Sequence, residues 1–139
     1  MTIPPFPLRF VCLGIDPAKF VEAFSRVVDL IPSRIELFRK WIKWKHQVTV
    51  SDWPRFSDGK LILASYHAKE YYFYAPLVKV LSPKALEVLI AHELAHTFHE
   101  NEGETWGVVE GWGFDREGLD LDVVGPCMEV VASCKVMGA

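Results

Sequence analysis

Cysteine is scarce in this chain. Cys12, Cys127 and Cys134 are the three in 139 residues, widely spaced and without a CxxC pair. An odd count without metal-type spacing points to reduced thiols in a cytoplasmic protein. Each is read as a small packing hydrophobe, with a catalytic thiol as the alternative. Long apolar runs are missing too. None approaches the roughly 18–20 residues needed to span a bilayer. The opening MTIPPFPLRFVCLGID holds three prolines and no basic stretch ahead of an apolar one, so no signal peptide is expected. Positive charge is not in excess. The formal net charge is −3, which argues against a general binder of nucleic acid or anionic membranes, though not against a local basic face. Repeats, linkers and low-complexity tracts are absent. What remains is half apolar and about a quarter charged. That composition excludes disorder and suits one domain over residues 1–139, large enough to bury a core without disulfides.

Asp16-Pro17 is a helix start, an N-cap followed by proline at the first helical position. Phe20, Val21, Phe24, Val27, Val28 and Ile31 then recur at helical spacing. After Pro32-Ser33 a second helical pattern runs through Ile35, Phe38, Trp41 and Ile42. It carries Arg34, Arg39, Lys40, Lys43 and Lys45 among Trp41 and Trp44. Such interleaving can bind nucleic acid, with cations on phosphates and aromatics on bases. In an acidic chain a solvated basic face over core tryptophans is the preferred reading. Strand-like runs follow at 46–51, 61–66 and 70–75, separated by a loop ending in Asp58-Gly59 and a turn over 67–69. The last two runs form a hairpin. Ser82-Pro83 opens a helix through KALEVLIAHELAHTFHE, apolar nearly all round and therefore buried. A further helix is expected from about Gly103 to Phe114, and a terminal one from Cys127 to Val136.

Inside the buried helix lies His92-Glu93-Leu94-Ala95-His96, an HExxH motif. Residues four apart stack on one helix face, so two imidazoles can bind one zinc ion with nitrogens at about 2.0–2.1 Å. Glu93, beside the first ligand, is placed as general base toward a water on the metal. The alternative is a His/Glu cluster satisfied by hydrogen bonds. Burying two imidazoles and a carboxylate in an apolar helix is costly, and a bound cation compensates directly.

The segment LIAHELAH resembles the zincin metallopeptidases, as does the order of helices, strands and an aromatic strand before the motif helix. The resemblance implies an α+β, zincin-like fold, with a small twisted, mainly antiparallel sheet packed on the N-terminal helices and the HExxH helix. It also implies that the strand from Glu70 to Ala75 is a sheet edge, on which an extended peptide substrate is pinned by strand addition. The metzincin continuation HxxGxxH is not met, because His99 and Glu102 occupy its glycine and last histidine positions. The gluzincin pattern places a glutamate on a following helix. Three compete here. Glu104 has Gly107 at plus three and sits at a helix start, where the dipole favours a carboxylate. It borders a stripe of Thr105, Val108, Val109 and Trp112, and is the preferred third ligand. Glu102 lies six residues beyond His96, tight for a returning helix. Glu110 has Gly113 at plus three but faces away from that stripe. The tail ETWGVVEGWGFD is similar to those of small ImmA/IrrE-like members.

His99 shares a stripe with His92 and His96, but ligands at i, i+4 and i+7 span about 10 Å and cannot reach one ion. It is read as a helix-end residue or a rim group. Asp115 is weighed as a partner for a ligand imidazole and as a plain loop residue. His46 and His67 are expected at the surface. Tyr72 or Tyr74 is considered for stabilising an oxyanion. The expected function is zinc-dependent peptide hydrolysis, with Glu93 catalytic and Zn²⁺ on His92, His96 and Glu104. The partner is a peptide or protein substrate, with neither nucleic acid nor membrane. The rival is a zincin-fold module that binds metal or a partner protein without turnover.

Overall fold

A computed structural model describes residues 7–57 and 60–114, without the side chains of Ser57, Lys60 and Glu102. The expected Asp58-Gly59 turn, Asp115, Cys127, Cys134 and the terminal helix lie outside the described residues. The architecture is α+β, with five helices and a four-stranded mixed sheet among the described residues. No described helix is long and apolar enough to cross a membrane.

Strand β1 (Arg9–Cys12) leads into α1 (Pro17–Leu30) and α2 (Arg34–Trp44). The Asp16 carboxylate accepts from the Ala18 amide, the cap that Asp-Pro foretells. Phe20, Val21, Phe24, Val27, Val28 and Ile31 are all buried, as their spacing requires, while Leu30 is exposed. Helix α2 is different. Leu37 and Trp41 face the core, while Ile35 and Ile42 are 64 % and 65 % exposed. Trp44 is also exposed, so only one of the two helix tryptophans is core. The Lys43 and Lys69 ammoniums lie 4.9 and 5.0 Å from its ring. The helix ends at Lys45, in left-handed conformation with φ 52°.

Strand β2 (Gln47–Ser51) follows, then the short β3 (Phe56–Ser57) and β4 (Lys60–Leu61) pair, and the hairpin of β5 (Ala64–His67) and β6 (Glu70–Tyr74). The sheet order is β1-β2-β6-β5. β1 pairs with β2 and β2 with β6 in parallel; only β5 and β6 are antiparallel. The expectation of a mainly antiparallel sheet is therefore corrected. Parallel neighbours need crossovers, and among the described residues these are α1 and α2 between β1 and β2, and the connection that carries β5 between β2 and β6. The same topology makes β6 central and leaves β5 at the edge, so the Glu70–Ala75 run is not the edge strand expected of it.

Alternation sends Val48, Val50, Ala64, Tyr71 and Phe73 to one face, all buried. Phe20 meets Phe73 with ring centroids 5.2 Å apart, and Phe24 meets Tyr71 at 6.4 Å. These are favourable edge and tilted contacts for aromatic rings. Cys12 packs half-buried against this core, and burial pushes its thiol up, as befits a packing residue. After β6 the chain passes directly into α3 (Ala75–Val80), then α4 (Pro83–Ala95) and α5 (Glu102–Gly111). Helix α4 lies against α1, β5 and α5.

Candidate metal centre

Ser82 caps α4 by accepting from the Ala85 amide at 3.1 Å. From there every residue from Val88 to Ala95 is buried. The helix holds regular form to Ala95, and His96 is its C-cap, its amide donating to the His92 carbonyl at 3.2 Å. The motif thus occupies the last turn of a helix sunk in the molecule.

His92, Glu93 and His96 are all buried. The imidazoles of His92 and His96 stand edge to face at 89°, with Nε2 atoms 3.0 Å apart. Two nitrogens on a tetrahedral zinc at about 2.0–2.1 Å are separated by about 3.3 Å. The pair is thus close to the spacing of a shared ion, and the residues fit a divalent metal. His96 Nδ1 donates to the His99 carbonyl at 2.9 Å, which leaves its Nε2 with a lone pair toward His92. Glu93 Oε2 lies 4.0 Å from His92 Nε2.

Helix α5 closes the site from the side. The Asn101 side chain caps it by accepting from the Glu104 amide. Thr105 is fully buried, with Oγ1 3.2 Å from His96 Nδ1 and donating to the Asn101 carbonyl at 2.7 Å. The Trp106 indole tilts over the His92 ring at 4.3 Å. From the sheet, the Tyr71 hydroxyl bonds Thr97, the residue after the motif, and accepts from Trp41 Nε1 at 3.0 Å. Burial pushes the Tyr71 phenol well above its ordinary value, so it stays protonated as that network needs.

The structure brings together His92, Glu93 and His96. It does not bring Glu104 to them: that side chain is 68 % exposed, with Oε2 3.5 Å from His99 Nδ1. Glu110 is exposed as well. Among the described residues no third carboxylate, histidine or cysteine completes a metal-binding group. His99 sits past the helix end, partly exposed, in the rim position expected of it. Tyr72 does not approach the histidines. It lies on the sheet face opposite Tyr71, its hydroxyl donating to the Trp53 carbonyl, and burial pushes it up to about 12. Tyr74 has the same strand parity.

His46 overturns its surface expectation: it is buried, with Nε2 2.7 Å from the Tyr66 hydroxyl and its ring stacked on Tyr66. His67 is exposed as expected. Thr105 and Trp106 are the site residues that sequence reasoning did not single out as partners of the histidines. Their signal was periodic, since 105, 106 and 109 are the buried positions of α5. Trp106 lies beside the apolar stripe of Thr105, Val108, Val109 and Trp112 and not within it. No protein-family model, curated protein or solved structure matches the chain.

Proposed function

We propose that this chain is a zinc-dependent peptidase whose centre is built on His92, His96 and Glu93. The observation that carries the reading is the convergence of two buried imidazole nitrogens at 3.0 Å beside a buried carboxylate. A zinc ion held there supplies a Lewis acid that activates water and stabilises charge on the scissile carbonyl.

The chain's own groups supply the rest. His96 is held in the metal-binding tautomer by the His99 carbonyl, with Thr105 beside the same nitrogen. The Trp106 indole fixes the His92 ring and excludes water from its face. Glu93 takes the proton of the attacking water on a carboxylate oxygen and returns it to the leaving amine. An extended substrate would add to β5, the edge strand lying against α4.

For the third ligand the reading moves from Glu104 to Glu102. Glu104 and Glu110 are exposed and Glu102 is the remaining glutamate of the three that the sequence offers.

The test is Glu93→Gln on unfolded casein with zinc content measured in parallel. Hydrolysis falls by about 10²–10⁴-fold while bound zinc is retained. Equal, chelator-insensitive activity in both proteins would leave a binding module without turnover.

A further inference from the structure

The sheet has a second face that the metal centre does not use. Alternation and register turn Gln47 and Thr49 of β2, Glu70 and Tyr72 of β6, and Ser65 and His67 of β5 away from α4. This face is polar, yet Thr49 and Ser65 are only 8 % and 5 % exposed. The segment after β2 covers it. Arg55 lies 4.2 Å over the Tyr72 ring and grips Glu70 with both terminal nitrogens, at 2.5 and 3.3 Å. Between that segment and the β5–β6 turn is a cleft of about 710 Å³, lined among others by Lys45, Lys69, His67, Ser65, Phe56 and Ile62.

Its charge is unbalanced. Arg55 is matched by Glu70, but among the described residues neither Lys45 nor Lys69 pairs with a carboxylate. Lys69 rests over Trp44 instead, close to Lys43 on the same ring. His46, behind the cleft, registers the field: burial first, then Lys40 and Lys69, lower it to about 4.

The backbone brings both lysines to this cleft. Among the described residues, Lys45, Ala68 and Lys69 are the non-glycine residues at positive φ, at 52°, 49° and 65°. All three line this cleft. Glycine holds such positions without the steric conflict of a Cβ. Two lysines therefore stand where glycine would be more stable. Lys45 closes α2 and Ala68-Lys69 form the β5–β6 turn, so the fold sets all three conformations, and at two of them it carries a lysine to the cleft.

We propose that this cleft binds a phosphorylated small molecule of nucleotide size, with its phosphates between Lys45 and Lys69 and its body against Phe56 and Ile62. Lysine is a point-charge partner for phosphate, and the Ser65 hydroxyl adds a donor at the cleft wall. The volume lies within the roughly 300–1,000 Å³ of small-molecule sites, far more than a lone phosphate fills. Phe56, largely exposed, offers a ring to an aromatic body. The inference is independent of the peptidase reading.

The test is a titration of the ¹⁵N-labelled chain with ADP, followed by amide shifts. The expected result is saturable shifts confined to residues 45–47, 55–56 and 65–70. Metal withdrawal by the diphosphate is read separately, at residues 92–97. Lys45→Gly and Lys69→Gly each relieve a left-handed residue, so each raises Tm while weakening ADP binding about tenfold or more. Inorganic phosphate binds more weakly than ADP. Shifts that never saturate, or ADP affinity unchanged in both glycine variants, overturn the proposal; equal affinity for phosphate and ADP overturns the nucleotide-sized ligand.

Discussion

The Nε2 atoms of His92 and His96 face one another at 3.0 Å, across one helical turn and out of reach of bulk water. Because His96 spends its Nδ1 proton on the His99 carbonyl, its Nε2 presents a lone pair. That lone pair needs a cation or a proton opposite it. The spacing and the adjacent Glu93 suit a cation.

The third ligand can be separated by substitution. Glu102→Gln is expected to weaken zinc by more than the roughly 10–100-fold that loss of an outer partner costs. Glu104→Gln and Glu110→Gln leave affinity unchanged, because both carboxylates are exposed. Competition against a chromogenic chelator reads all three. A large loss in Glu104→Gln alone would restore the original assignment.

Thr105 is a positioning residue. Thr105→Val keeps the shape of a buried side chain but removes the hydroxyl 3.2 Å from His96 Nδ1. Zinc affinity is expected to fall by about tenfold or more. A thermal shift with zinc affinity intact would assign Thr105 to helix packing only.

Tyr71 ties the sheet to the end of the motif helix. Tyr71→Phe removes the hydroxyl that bonds Thr97 and accepts from Trp41. Losing a buried hydrogen-bonding group costs roughly 1–3 kcal/mol, measured by urea denaturation. An unchanged midpoint would show that the network contributes nothing to stability.

His46 gives stability a pH dependence. Its folded value, about 4, lies below the 6.5 of the free side chain. Between those values the unfolded chain binds the extra proton, so stability rises with pH across this window and is lost as pH falls through it. His46→Phe is expected to flatten the dependence of Tm on pH between 4 and 6.5. An unaltered profile would place the dependence on other groups.

Local signals in the sequence located the starts of α1 and α4, because Asp16-Pro17 and Ser82-Pro83 are caps whose effect is confined to one turn, while α4 ends at Ala95, short of the expected Glu100. The HExxH spacing likewise needs only one helix. The strand order was not legible, since whether β6 is central depends on where β1 returns through two helices, and β1 itself is four residues that no pattern marks. Helix α3 was hidden because β6 runs into it without a turn; Pro76 near its start was the available sign. Ile35, Ile42 and Trp44 face outward although their spacing fits a buried stripe, because Leu37 and Trp41 already fill the one face α2 presents to the core. His46 is buried by Tyr66 and Tyr71, partners twenty or more residues away. Tertiary contacts of that kind leave no periodic trace.

The central claim is most directly tested by titrating chelator-stripped protein with zinc and comparing it with His92→Ala and His96→Ala. The account predicts one tightly bound ion per chain, lost in either variant while far-ultraviolet circular dichroism stays unchanged. Wild-type protein that takes up no zinc, or variants that bind it equally well, would contradict it.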